Sequence, residues 1–325
     1  MTRTQLSEQA AGAPTGSTAA TDAPTTEPVL VLAPTGKTGR RVAERLRAAG
    51  IQVRARSRRS TPTFSWQDPA TWDAALDGVH GVYLAYSPDL PVPGAVEHVA
   101  AFAARARAAG VERLVMLSGR GEAAAQEAEQ RAREHLPQLT CLRAGWFWQN
   151  FTEGDFSPMV TSGVLALPVD ETPEPFVDCE DIAEVAVAAL LDEPGAPGGR
   201  SRHAGQTYEL TGPVTMTFAQ AAHALSAQRG HPVRFVAQTL PEAHAAWETA
   251  GVPAETRWLL GELFGTVFDG RNSGVGDGVL RALGRSPRVV GAVVDEPDPE
   301  LSAASAPGTS RTWGTSAVPV AGGQR

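Results

Sequence analysis

The stretch Val29–Arg40, "VLVLAPTGKTGR", decides how the chain is read. Val29, Leu30, Val31 and Leu32 form a continuous apolar run, the pattern of a strand buried on both faces. A turn with Gly36 and Gly39 follows, then "RRVAERLRAAG", where Val42, Leu46 and Ala49 fall on one helical face. Gly36-Lys37-Thr38 matches the end of a triphosphate loop, Gly-x-x-x-x-Gly-Lys-Thr. That motif needs a glycine where Val31 stands inside the strand, so the turn is too short to wrap a β-phosphate. Ala33-x-x-Gly36-x-x-Gly39 fits a dinucleotide turn instead, with alanine in place of the first glycine. In that reading Gly36 lets the backbone approach a pyrophosphate at the helix N-terminus, and Gly39 lets the helix pack closely on the strand.

The next strand, "IQVRARS", selects among dinucleotides. A site for an unphosphorylated ribose places a carboxylate at its end; here stand Arg56, Ser57, Arg58 and Arg59. Arginine forks suit a 2′-phosphate, so the reading is NADP, although a solvated basic loop has the same composition. Further apolar strands, "GVYLAYS" (81–87), "RLVMLS" (113–118) and "LTCLRAGWF" (139–147), alternate with helical stretches at 95–110 and 122–135. Such alternation implies an α/β fold, a doubly wound parallel sheet, with ligands at the carboxyl ends of its strands. The run "EAEQRARE" within 122–135 reads as a solvated helix face. After residue 150 the rhythm loosens. "EPFVDCEDIAEVAVAALL" predicts a short strand and a helix capped by Asp178, with Asp181 at the third helical position. "QTYELTG" and "PVRFVAQ" are short strands, and 241–283 is helical, with bulk from Trp247, Trp258, Leu259, Leu263 and Phe264. The expected division is a nucleotide-binding core at 28–150 and, at 151–294, the remaining sheet elements with a smaller, mostly helical C-terminal cap. Residues 1–27 and 295–325, rich in Ala, Ser, Thr, Gly and Pro, read as flexible tails.

Composition narrows the function classes. The net charge of −8 argues against a nucleic-acid surface, which needs a basic patch. Cys141 and Cys179 make no disulfide framework, and His80, His98 and His135 have no metal-ligand spacing. The chain shows no apolar run of about 18 residues and no signal-peptide core, so a cytoplasmic location with no membrane contact is expected.

"APTGKTGRRVAERL", "FSWQDPATWDAALDGVHGVYLAYSPD", "RLVMLSGRGE", "LRAGWFWQNF" and "EPFVDCEDIAEVAVAAL" together resemble the NmrA-like branch of the atypical short-chain dehydrogenases, near bacterial relatives of ergot-alkaloid iminium reductases. The ordered blocks run from Val29 to Leu190, with weaker likeness to Arg288. The resemblance implies a Rossmann fold and NADP contacts. Thr35, Gly36, Thr38 and Gly39 would hold the pyrophosphate, and Arg56 and Arg58 the 2′-phosphate. Asp68 would lie near the adenine amino group, Ala85 and Tyr86 on the adenine and ribose side. Ser118, Arg143, Ala144 and Gly145 would approach the nicotinamide.

Ser118 and Tyr86 are the candidate catalytic residues, although a serine at a strand end also serves simply to cap a turn. Trp146, Phe147, Trp258 and Phe264 are candidates for a substrate pocket, and Trp146 and Phe147 fit plain packing as well. Ordinary short-chain dehydrogenases use Tyr-x-x-x-Lys as acid. Here Lys37 is the only lysine and the tyrosines are Tyr83, Tyr86 and Tyr208, so that spacing is impossible. Hydride would then go to an activated acceptor, an iminium ion, a quinone or a conjugated enone, in a flat and partly aromatic small molecule. Two other readings stay open: a non-catalytic NADP-binding redox sensor, favoured by the missing pair, and an epimerase or dehydratase with retained cofactor.

Overall fold

A computed structural model describes residues 28–192 and 200–291 of the chain. The expected tails at 1–27 and 295–325 lie outside the described residues. Val29–Leu32 forms β1 and Lys37–Ala48 forms α1. Then come β2 (Val53–Arg56), α2 (Trp72–Leu76), β3 (Gly81–Leu84), α3 (Ala95–Ala108), β4 (Arg113–Gly119), α4 (Ala123–His135) and β5 (Thr140–Ala144). After β5 run α5 (Gln149–Thr152), α6 (Ser157–Ser162), β6 (Val164–Leu167), α7 (Cys179–Leu191), β7 (Thr207–Leu210), α8 (Phe218–Arg229), β8 (Arg234–Ala237), α9 (Leu240–Thr249), α10 (Ala254–Thr266) and α11 (Gly278–Leu283).

Six strands form one parallel sheet in the order β2-β1-β3-β4-β5-β7. The order reverses between β1 and β3, which opens a crevice at their carboxyl ends. Because strand side chains alternate, β1 sends Leu30 and Leu32 to one face and Val29 and Val31 to the other. The first pair packs with Val99 and Phe102 of α3, Ala128 and Ala132 of α4, and Trp66 and Trp72. The second packs with Val42 and Leu46 of α1, Ile182 and Val185 of α7, and Val279 of α11. A third core, with Phe151, Phe176, Phe218, Trp247, Phe264 and Phe268, belongs to the cap. There β6 and β8 make a separate parallel pair. The cap is thus not a simple C-terminal half, since β7 and α7 belong to the main sheet layer.

Two expectations from periodicity are corrected. Ala49 is exposed, because α1 ends at Ala48, and Ala43 takes its inward place. Glu129, in the run read as a solvated face, is only 1% exposed: it shares the sheet-facing side of α4 with Ala125, Ala128 and Ala132 and accepts from Arg143 at 2.8 Å. Asp178 does cap α7, accepting from the Glu180 amide at 2.8 Å. Asp181 is no cap residue. It is fully buried and anchors the segment after α11, pairing with Arg285 at 2.7 Å, with Arg288, and with the Arg288 amide at 2.6 Å. A carboxylate buried this deeply is tolerated only because those partners replace its water.

Candidate functional site

The site grows from the turn after β1. Ala33 sits at φ +50, in the left-handed region where glycine is favoured, at the position of the missing first glycine. The Gly36 amide donates to the Ala33 carbonyl at 3.0 Å, closing the turn. Gly36 is the N-cap of α1 and brings no side-chain acceptor, so first-turn amides stay available to an anionic ligand. A methyl on Gly39 would lie 2.9 Å from the Ala33 carbonyl carbon and 3.2 Å from the Leu32 oxygen, so only glycine lets α1 approach β1 this closely. Thr38 and Gly39 are buried beneath the turn and line neither cavity described next.

One cavity of about 320 Å³ gathers Ala33, Thr35, Gly36, Arg56, Arg58 and Ala85, together with Ser57, Arg59, Trp66 and Gln67. Arg56 bonds only its neighbour's carbonyl, Ala55, at 3.1 Å, and its Nε is buried with no partner. Burial and the nearby Arg54 pull its pKa down, and no described carboxylate pairs with it. A half-buried guanidinium with no carboxylate among the described residues to pair with it suits an anion. Asp68 is not part of this wall: its carboxylate caps the short turn Pro69–Thr71 by accepting from the Ala70 amide at 3.1 Å. Gln67, one residue earlier, faces the cavity instead.

A second cavity, of about 470 Å³, shares Pro88 with the first as a lining residue. The ends of β4 and β5 supply Ser118, Gly119, Ala144 and Gly145; Trp146, Phe147 and Phe156 form one wall and Leu259, Leu260, Leu263 and Phe268 another. Tyr86 joins it with its ring stacked on Trp66 (centroids 4.7 Å apart) and its hydroxyl 2.8 Å from His98 Nδ1. Ser118 lines it too, but its hydroxyl donates to Glu129 at 2.6 Å. Arg143 does not line it, being held by the same Glu129. Trp146 rests on Phe268 and Phe264 with centroids 5.0 and 5.4 Å away. Phe264 therefore backs the wall from behind, while Trp258 is 42% exposed and lies outside the lining. Its helical neighbours Leu259 and Leu263 take the inward positions.

Sequence reasoning missed the cavity's charged groups: Lys37, Asp89, Arg120, Glu122, Asp155 and Glu174. Burial pushes the Glu122 carboxyl up to about 8, with repulsion from Asp89 adding to it. Burial lifts Asp89 as well, against the pull of the Leu90 amide. Glu174 is raised to about 7 by burial, opposed by the Trp146 amide and by Arg120. Apart from Lys37, the first residue of α1, these residues stand in loops between regular elements, where no periodicity marks them. No cluster of metal-binding side chains occurs among the described residues, and no described helix is long and apolar enough to cross a membrane.

No family model matches the chain. It is 31% identical over 282 residues to the NAD(P)H azoreductase of Xenophilus azovorans, covering 80% of this chain and 94% of that one. It is 30% identical over 275 residues to the uncharacterized oxidoreductase YesF of Bacillus subtilis, covering 80% and 92%. The chain belongs to the NmrA-like atypical short-chain dehydrogenases. The triphenylmethane reductase of a Citrobacter species, solved with NADP(H), shares the fold at 19% identity, with a TM-score of 0.63 over 80% of this chain and 96% of that one. As an NmrA-like protein, the chain combines a Rossmann sheet with two neighbouring cavities, one basic and one aromatic.

Proposed function

We propose that this NmrA-like protein is an NADPH-dependent reductase that passes hydride to a flat, activated small molecule held in the larger cavity. The observation that carries the reading is the half-buried guanidinium of Arg56, which no described carboxylate pairs and whose Nε is buried, beside a glycine turn and next to an aromatic-walled cavity at the ends of β4 and β5. Gly36 and the first-turn amides of α1 would hold the pyrophosphate, and Arg56 and Arg58 the 2′-phosphate. Ala85 and Tyr86 would flank the adenosine side. The bound dinucleotide would supply the hydride. The rings of Trp146 and Phe268, with Leu259 and Leu263, orient a planar acceptor and exclude water from it.

The acceptor class follows from what the chain lacks. With no Tyr-x-x-x-Lys spacing, a simple ketone would have no conventional acid, whereas an iminium ion, a quinone, an enone or an azo bond accepts hydride more readily. The relatives' names, azoreductase among them, support such acceptors. The test is NADPH oxidation followed against quinones, azo dyes, iminium ions and enones, beside calorimetric titration with NADPH and NADH. Turnover of at least one class, with NADPH bound more tightly than NADH, is expected. Tight NADPH binding with no turnover of any acceptor would refute the enzyme and favour a redox sensor.

A further inference from the structure

We propose that Glu174 is the proton donor of the larger cavity, giving its carboxyl proton to an acceptor that has just taken a hydride. The inference rests on the reductase reading and adds a residue to it. A quinone, enone or azo bond that receives a hydride becomes an anion and must gain a proton, so the cavity needs a donor. Most candidates on its wall are engaged. The Ser118 hydroxyl donates to Glu129 and the Tyr86 hydroxyl is paired with His98. Arg120 donates to Glu209 at 3.0 Å and to the Asn272 carbonyl at 2.6 Å, and a guanidinium does not give up its proton near neutrality.

Glu174 differs from all of them. It is 3% exposed and yet part of the cavity wall. One oxygen, Oε1, accepts from the Trp146 amide at 3.1 Å; among the described residues nothing pairs with the other. The carboxyl stands over Gly145, where a methyl would meet Oε1 at 3.1 Å, so it lies at the end of β5, where the sheet places the reacting groups. Its backbone is pinned on both sides, the Glu174 amide to the Met216 carbonyl at 3.0 Å and the Met216 amide to the Glu174 carbonyl at 3.1 Å. Burial raises this carboxyl to about 7, so it keeps a proton near neutrality. The charged groups around it are Arg120 from the loop after β4, and, across the same cavity, Lys37 at the start of α1, Asp89 after β3, Glu122 before α4 and Asp155 between α5 and α6. Glu122 is the nearest rival: its carboxyl stands over Gly119 at the end of β4 and its Oε2 is buried without a partner among the described residues, but the residue as a whole is more exposed than Glu174.

The step balances. Hydride delivered to a quinone carbonyl carbon would form a C–H bond as the C–H bond of the hydride donor breaks, and the C=O π pair moves to oxygen; once protonated there, the product tautomerises to the hydroquinone. The O–H bond of Glu174 breaks as a new O–H bond forms on the acceptor, and the carboxylate recovers a proton from solvent. A triarylmethyl cation needs only the hydride, since its product is neutral. The experiment compares Glu174→Gln with wild type on a naphthoquinone and on a triarylmethyl dye cation, with NADPH titrated separately. Glutamine keeps the acceptor for the Trp146 amide. The expected loss in turnover on the quinone is about 10²–10⁴-fold, with a loss on the cation at least tenfold smaller and NADPH affinity retained. Wild-type kcat/KM on the quinone should fall as pH rises through about 7, and that limb should vanish in the variant. Without any acceptor, the wild-type melting temperature should fall more between pH 5.5 and 8.5 than that of Glu174→Gln. Equal losses on both acceptors, or an unchanged quinone rate, overturn the proposal. So does a wild type that reduces only the cation. A wild type that reduces neither overturns the reductase reading instead.

Discussion

Gly36 and Gly39 lie on the same turn, yet alanine should affect them in opposite ways. At Gly39 a methyl would stand 2.9 Å from the Ala33 carbonyl carbon and closer still to its oxygen, with the Leu32 oxygen 3.2 Å away. Comfortable carbon contacts begin at about 3.5 Å, so α1 must move off β1 by more than half an ångström. The neighbours are backbone atoms of a central strand and cannot swing aside. Overpacking of this kind costs about 1–3 kcal/mol. For a domain of this size each kcal/mol lowers the melting temperature by about 2–4 °C, so Gly39→Ala should melt about 2–12 °C lower. At Gly36 the only atom within reach of a methyl is the Ala33 oxygen at 3.3 Å, and the backbone, at φ −73, suits any residue. Gly36→Ala should stay within about 1 kcal/mol of wild type in stability but bind NADPH more weakly, because its methyl occupies the approach to the pyrophosphate. Calorimetric melts and NADPH titration of both variants decide it. Equal melting temperatures for the two, or intact NADPH affinity in Gly36→Ala, would refute this account of the turn.

Two further outcomes are expected. Arg56→Ala should weaken NADPH by about 1.5–3 kcal/mol, the worth of a hydrogen bond to a charged group, and leave NADH nearly unchanged; titration showing equal losses for both would remove the 2′-phosphate from Arg56. Glu122 has its folded-state pKa raised to about 8 by burial, so the stability it permits is full below its unfolded value and is lost as pH rises through about 8. Glu122→Gln should therefore be more stable than wild type at pH 9, by a few kcal/mol at most, and no more stable at pH 4; denaturant titration at both pH values measures it.

Local pattern alone was enough for most of the sheet. The run Val29–Leu32, the glycine turn and the face carrying Val42 and Leu46 specify strand, turn and helix, because burial on two faces or one writes itself into the spacing of apolar residues. The same locality made the Asp178 cap legible, since cap and capped amide are neighbours in the chain. The arginines after β2 were legible for a related reason: the sheet places every strand's carboxyl end at the crevice. What tertiary structure alone decided are groups whose partners lie far along the chain. Glu129 looked solvated until Arg143 and Ser118 met it from β5 and β4. Asp181 read as an ordinary first-turn residue of α7 until Arg285 and Arg288 folded back onto it. Asp68 turned to its own turn and left the cavity to Gln67, and Trp258 faced outward while Leu259 and Leu263 faced in. The carboxyls of Glu122 and Glu174 became chemically distinct only through burial, and burial of a polar group in a loop depends on which distant segments close over it.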